Sequence, residues 1–206
     1  MKVLLINGSP HSGGCTFTAL SEIADTLHLL GVESEILHVG TSPVSGCLAC
    51  GGCAGKGRCV IDDVVNVAIE KARECDGLIV GSPVHYAAAG GAVTSLLDRM
   101  FYCIGSEMRG KPAAAVVSAR RGGTTAALDQ LSKYFTMNAM LVVGSTYWNM
   151  VHGSKPDDVR QDAEGMQTMR NLARGMAWIL TCIETADKAG IKRPLYESGT
   201  RTNFIR

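Results

Sequence analysis

The sequence predicts an α/β protein: a doubly wound, five-stranded parallel sheet of strand order 2-1-3-4-5 with helices on both faces. Three observations carry that expectation. Short continuous apolar runs recur along the 206 residues, as they do in strands buried on both faces. Segments with apolar residues at helical spacing separate those runs. Strict alternation of the two kinds of segment reads as parallel strands joined by crossover helices that cover both sides of the sheet.

The first apolar run is Lys2 to Asn7, which empties directly into Gly8 to Phe17. The helix beyond carries Phe17, Leu20, Ile23, Ala24, Leu27 and Leu30 on one stripe, and Gly31 ends it. Glu33 to Val39 is a second strand, more polar and therefore nearer an edge. Residues 40–61 form a loop dense in glycine and cysteine. Asp62 and Asp63 can cap the next helix, whose inward positions are Val64, Val65, Ala68, Ile69 and Ala72. Gly77 to Ser82 is the third strand, closed by Pro83, and Val93, Leu96, Leu97, Met100, Phe101 and Ile104 share one face of the helix after it. Pro112 to Ser118 is the fourth strand; its helix has Ala127, Leu128, Leu131, Tyr134 and Phe135 inward, and Met140 to Val143 is the fifth strand. A loop through Trp148 and His152 leads to a long helix from about Asp162, with Met166, Met169, Leu172, Met176, Leu180 and Ile183 inward. One domain is expected over residues 1–190, with a cysteine-rich insertion at 40–61 and a tail at 191–206.

Twenty basic residues against nineteen acidic ones give no field to attract nucleic acid or a membrane surface. No stretch approaches the roughly 20 apolar residues of a spanning helix. The apolar start could pass for a signal peptide, but Asn7 to Pro10 breaks it too early. A cytoplasmic protein is expected, its eight cysteines thiols or metal ligands rather than disulfides.

In an open parallel sheet the ligand sits beyond the strand C-termini where strand order reverses, here between the first and third strands. Three loops meet that rim. The first, Gly8 to Phe17, turns from strand into helix through glycines and hydroxyls, which makes an anion site of free backbone N–H groups at the positive end of the helix dipole. It lacks the Lys-Ser/Thr of a triphosphate loop and does not satisfy G-x-G-x-x-G. Ser9, His11, Ser12 and Thr16 suit a terminal phosphomonoester, such as that of FMN, and Cys15 and Phe17 complete the candidate cofactor-binding residues of this loop. The second loop, with Pro83, Val84, His85 and Tyr86 followed by small residues to Gly91, offers planar rings and close backbone approach to a flat ligand. In the third, Ser118, Arg120, Arg121, Gly122 and Gly123 supply small residues and two guanidinium groups; positive charge near a flavin's pyrimidine edge favours its reduced anion.

Gly8 to Pro10 with Cys15 and Thr16, Gly81 to Tyr86, and Ser118 with Gly122 and Gly123 together resemble the signatures of the NAD(P)H-dependent FMN reductase branch of the flavodoxin-like proteins. The resemblance covers all but the last dozen or so residues. It implies a flavodoxin-like fold, FMN held non-covalently, and a homodimer or homotetramer with flavins near subunit interfaces. The chain departs from the family's phosphate loop, where an arginine or lysine is usual near His11 and an asparagine near Cys15.

Cys47, Cys50, Cys53 and Cys59 have the spacing C-x2-C-x2-C-x5-C. Three thiolates at intervals of three can wrap one corner of an iron–sulfur cube, and the fourth can close it. The segment is similar to the compact cysteine motif of the iron–sulfur flavoproteins, a subgroup of the same family. That resemblance implies a [4Fe–4S] cluster exchanging single electrons with FMN. Zinc and unligated thiols are the competing readings. Cys75, Cys103 and Cys182 read as small residues of helix cores, and His28, His38 and His152 form no metal-ligand spacing. Trp148 reads as core or interface packing.

The expected activity is therefore an FMN-dependent oxidoreductase of iron–sulfur flavoprotein type. Its electrons would come from NAD(P)H as co-substrate or from a small carrier such as ferredoxin. The alternatives are a cluster-free NAD(P)H-dependent FMN, quinone or azo reductase and, from another class, a non-catalytic flavodoxin-like binding module. No acidic cluster follows the first strand, as a receiver-type module would need.

Overall fold

A computed structural model describes residues 1–197 together with 199, 200, 202 and 204. The end of the expected tail, at 198, 201, 203, 205 and 206, lies outside the described residues. The parallel sheet is built from β1 (Lys2–Asn7), β2 (Glu33–His38), β3 (Gly77–His85) and β5 (Pro112–Ala119), with β6 (Leu141–Val142) and β7 (Met150–His152) sharing the fifth position. A two-residue strand, β4 (Ala88–Ala89), folds back antiparallel on β3. The helices are α1 (Cys15–Leu29), α2 (Val64–Glu74), α3 (Gly91–Ile104), α4 (Thr124–Met137), α5 (Pro156–Gln161) and α6 (Ala163–Lys188).

The central order β2-β1-β3-β5-β6 is the expected one. Two details differ. The fifth strand is split: β6 pairs with the start of β5 (Pro112↔Leu141) and β7 with its end (Val117↔Met150). Residues 143–149 bulge out between the two, and the segment read as a loop around His152 is the second half of the strand. The third strand also runs past Pro83, because Val84 and His85 pair with β4.

Side-chain alternation along the sheet divides the core in two. Leu4, Ile6, Leu78, Val80, Ala113, Ala115 and Val117 face α2, α3 and α4, where Ile69, Leu96, Met100, Leu131 and Phe135 are fully buried. Val3, Leu5, Ile79, Ala114 and Val116 face α1 and α6, with Leu20, Ile23, Leu27, Met169, Leu172 and Met176. The alanines of β5 hold the helices close to the strand from both sides. Gly31 ends α1 in the left-handed region, at φ +75. Asp162 caps α6: its Oδ1 accepts from the Gly165 N–H at 2.9 Å. Among the described residues no helix is long and apolar enough to cross a membrane.

Because β1, β2, β3 and β5 are parallel, the loops that leave them open on one rim of the sheet.

Candidate functional site

The first loop is held from beneath by Asn7, the last residue of β1. Asn7 is fully buried; its Oδ1 accepts from the Ser9 N–H at 3.1 Å and its Nδ2 donates to the Ser12 carbonyl at 3.3 Å. The Gly8 N–H donates to Gly81 O at 2.9 Å, which ties the loop to β3. Only glycine fits at position 8, since a Cβ there would sit 2.6 Å from Val93 Cβ. His38, at the end of β2, brings Nε2 to 2.8 Å from the Ser9 carbonyl. The loop is therefore rigid, while His11, Ser12 and Gly13 stand exposed on its outer side.

It delivers the chain to the N-terminus of α1, where Gly14 occupies the cap position and no side chain caps the helix. The first-turn N–H groups have no intrahelical acceptor and are left for an anion. A Cβ at Gly13 would meet nothing within 4 Å, so the backbone lies open to a ligand. Cys15 contributes little beyond its N–H. Its thiol is turned to the Gly153 carbonyl, at 3.6 Å, and burial raises its pKa, which keeps it neutral beside an anion site. Phe17, half-buried, lines a depression with Gly13 of the same loop and with Ser21, Glu22, Asp25, Arg160 and Met166.

Thr16 and Ser118 meet beneath the rim. Their hydroxyl oxygens are 2.8 Å apart and both residues are buried, so the pair joins α1 to β5. Two hydroxyls sharing one hydrogen bond leave one O–H donor over.

The second loop is a tight hairpin. Tyr86 and Ala87 both have positive φ, +50 and +60, as a two-residue primed turn requires. Neither is glycine, so the turn holds roughly 1–2 kcal/mol of left-handed strain per residue. Strain of this kind gathers at functional sites. Tyr86 is fully exposed at the tip and His85 is exposed beside it. Pro83 and Val84 are half-buried, and the Ala89 N–H donates to Gln130 Oε1 at 2.9 Å, anchoring the hairpin to α4.

Gly123, in the third loop, backs the hairpin at φ +90, where a Cβ would stand 2.8 Å from Ala87 Cα. Arg120, Arg121 and Gly122 are exposed, and a Cβ at Gly122 would meet nothing within 4 Å. The rim is thus open. An uncapped helix, a free hydroxyl donor and two guanidinium groups surround it, and this donor set fits a phosphorylated planar ligand.

A second constellation lies over α3. Cys47, Cys50, Cys53 and Cys59 line a cavity of about 180 Å³ together with Val60, Arg99, Tyr102 and Cys103. All eight cysteines of the chain are free thiols. Cys47 and Cys50 are exposed, while Cys53 and Cys59 are half-buried. Among the described residues no three His, Cys, Asp or Glu side chains are gathered closely enough to hold one metal ion. A single zinc would need four sulfurs about 2.3 Å from one point. A cubane cluster takes one thiolate at each of four separate irons, and its donors stand around a cavity as these do.

Cys59 is the most firmly held of the four. Its N–H donates to Asn66 Oδ1 at 2.9 Å, its carbonyl accepts from Asn66 Nδ2 at 3.1 Å, and its sulfur accepts from Arg99 Nε at 3.2 Å. Cys103 packs against the core as expected and also turns its half-buried thiol toward Cys53. Burial, followed by the neighbouring Cys53 and Cys59 sulfurs, pushes its pKa up to about 12. Cys75 is buried as expected, whereas Cys182 is exposed.

Asn7, His38, Arg99 and Cys103 are the residues sequence reasoning missed. Arg99 and Cys103 did leave a trace. They stand four apart on a helix face that otherwise carries Leu96, Met100 and Ile104, a place where a charge is expensive. Trp148 lies exposed in the bulge between β6 and β7, edge-on to Tyr147 at 5.2 Å, rather than in the core.

Residues 1–155 match the NADPH-dependent FMN reductase family. An iron-sulfur flavoprotein of Methanocaldococcus jannaschii is 32% identical over 192 residues, covering 89% of this chain and 100% of the relative. An iron-sulfur flavoprotein of Archaeoglobus fulgidus is 32% identical over 198 residues, covering 91% and 98% respectively. Among solved structures, an archaeal flavodoxin superposes with a TM-score of 0.60 at 14% identity, over 88% of this chain and 99% of that one, which supports a flavodoxin-like fold. The chain belongs to the NADPH-dependent FMN reductase family and is an FMN-dependent oxidoreductase.

Proposed function

We propose that this oxidoreductase is of the iron–sulfur flavoprotein type, passing electrons between FMN and a [4Fe–4S] cluster held by Cys47, Cys50, Cys53 and Cys59. The single observation that carries the reading is the cavity those four thiols line, in a chain whose relatives of matched length are named iron-sulfur flavoproteins. When bound, FMN supplies two-electron exchange with a nicotinamide and the cluster supplies one-electron exchange with a carrier.

The chain's own residues position these groups. The uncapped start of α1 and the exposed Ser12 and His11 take the phosphate, and the Thr16–Ser118 pair lends its spare donor. Residues Pro83 to Tyr86 and Ser118 to Gly123 flank the ring, with Arg120 and Arg121 supplying positive charge. Gly51, Gly55 and Gly57, all at positive φ, bend the cysteine loop so that its thiols face one cavity. NAD(P)H or a small carrier such as ferredoxin is the electron donor. The flavin rim is open within one protomer, so a homodimer or homotetramer would cover it. Free thiols throughout suit the reducing cytoplasm.

Protein purified without oxygen is expected to carry FMN, iron and acid-labile sulfide. Cys50→Ala is expected to lose the iron and sulfide and keep FMN. Unchanged iron in that variant would refute the ligand assignment. Parent protein with FMN but no iron or sulfide would leave a cluster-free NAD(P)H-dependent FMN, quinone or azo reductase. Protein that binds no flavin would remove the rim as its site and leave a non-catalytic module.

A further inference from the structure

Arg99 is 1% exposed, on the inward face of α3, directly beneath the cysteine loop. A guanidinium has five N–H donors, and all five of these are used. Nη1 donates to Asp63 Oδ2 at 2.7 Å and to the Ser45 carbonyl at 3.3 Å; Nη2 donates to Asp63 Oδ1 and to the Ile61 carbonyl, both at 2.9 Å. Nε donates to Cys59 Sγ at 3.2 Å. Four acceptors are oxygens that bracket the cysteine loop, Ser45 before it and Ile61 and Asp63 after it, and the fifth is a sulfur. With no donor to spare, the side chain has one orientation.

Stability alone does not account for this arrangement. Removing a guanidinium and a carboxylate from water costs several kcal/mol, and an apolar residue packed among Leu96, Met100 and Ile104 would avoid it. A thiol sulfur is a weak acceptor and repays little of that cost, whereas a thiolate accepts a charge-assisted hydrogen bond. As a ligand Cys59 would present such a sulfur to Nε.

We propose that Arg99 is a positioning residue for Cys59, orienting its sulfur in the ligand set and favouring the reduced state of the group that set holds. The proposal rests on the cluster reading above. Hydrogen bonds to cluster sulfurs are among the determinants of reduction potential. An N–H aimed at a ligand sulfur stabilises the more negative, reduced form, and it is this directed donor that acts, since Asp63 offsets much of the guanidinium's charge. Cys59 is the ligand on which such a contact is most effective, because Asn66 already fixes its backbone at both N–H and carbonyl. Asp63 completes the device: its Oδ1 also caps α2, accepting from the Val65 N–H at 3.0 Å, so the charge that orients Arg99 belongs to a helix end.

The test is an anaerobic redox titration of the reconstituted protein, with cluster and flavin followed separately by EPR and absorbance. Two variants are compared with the parent. Arg99→Gln/Asp63→Asn removes both charges while keeping a good helix cap. Arg99→Lys keeps the charge but cannot serve the Asp63 fork and the Cys59 sulfur together. In the double variant the ratio of reduced to oxidised cluster, at a fixed solution potential, is expected to fall at least tenfold, a shift of about 59 mV for one electron. Arg99→Lys is expected to shift the same way, and the FMN couple to stay in place in both. Failure of either variant to hold its iron while its FMN content and melting temperature match the parent would also support the positioning role. Parent-like iron content and parent-like cluster potential in both variants would overturn the proposal and leave the function reading standing. A parent that takes up no cluster would overturn both.

Discussion

Gly123→Ala puts the geometry of the flavin rim to a quantitative test. Two separate costs meet at that position. The backbone sits at φ +90, and an alanine held in the left-handed region pays about 1–2 kcal/mol. Its Cβ would also stand 2.8 Å from Ala87 Cα and 3.1 Å from both Ala87 Cβ and Val84 Cγ1. Overpacking in a closed core costs about 1–3 kcal/mol. Here the obstructing group is the tip of an exposed hairpin that can retreat, so the lower end applies and the total loss of stability is about 2–3 kcal/mol. The retreat itself is the functional effect, because it carries Val84, His85 and Tyr86 away from the third loop. FMN affinity is expected to fall at least tenfold, which is about 1.4 kcal/mol. Urea unfolding of the flavin-free protein measures the first quantity, and quenching of flavin fluorescence on titration measures the second. Gly122→Ala is the control: its added methyl meets nothing within 4 Å and its φ is unexceptional, so stability should stay within about 0.5 kcal/mol of the parent. If Gly123→Ala matched Gly122→Ala in both assays, the hairpin would not be braced by the third loop as described.

The buried hydroxyl pair should behave non-additively. Thr16→Val or Ser118→Ala alone leaves a buried hydroxyl without its partner and should cost about 1–3 kcal/mol by urea unfolding, while the double variant should cost less than the sum of the two; additive losses would mean the 2.8 Å contact is unimportant. Glu35 is held below its ordinary pKa of 4.5 by hydrogen bonds from Lys71 and Lys2. Its contribution to stability is therefore complete above pH 4.5 and is lost as pH falls through the lowered value. The gap in urea midpoint between parent and Glu35→Gln should be widest near neutrality and close in acid; a gap that does not vary with pH would refute the assignment.

How much of the fold could be read in advance follows from the range of the interactions that fix each part. The four central strands and the five longer helices announce themselves through local periodicity, and the burial of Leu20, Ile23, Leu96, Met100, Leu131, Met169 and Leu172 follows that pattern residue by residue. The splitting of the fifth strand does not. Leu141 and Val142 fall inside the expected Met140 to Val143, whereas Met150 to His152, only three residues long, is too short to carry a pattern. They become strand by pairing with β5, a partner some thirty residues away in sequence. The hairpin after β3 was hidden for the opposite reason. Its turn residues are Tyr86 and Ala87, where the primed turn prefers asparagine and glycine, so the usual signal is missing.

The same division of range explains the two candidate sites. Glycine, hydroxyl and cysteine spacings are properties of contiguous segments, and each of the three rim loops and the cysteine loop is legible in the sequence. What converts those segments into sites is non-contiguous. Thr16 finds Ser118 across 102 residues, His38 reaches Ser9 across 29, and Arg99 reaches Cys59 across 40. Four of the six belong to the motifs, but no motif names the distant residue its member will meet, and His38 and Arg99 belong to none. Arg99 shows why such residues still leave a physical mark. A charge on the inner face of an apolar helix is tolerated only where every donor is met, and here the carbonyls and the carboxylate that meet four of them belong to the chain on either side of Cys59. The geometry of a cysteine loop built largely from glycine is thereby fixed from outside the loop. A motif of four cysteines needs such an anchor, because Gly51, Gly55 and Gly57, which let the loop bend around a cavity, also leave it without a preferred shape of its own.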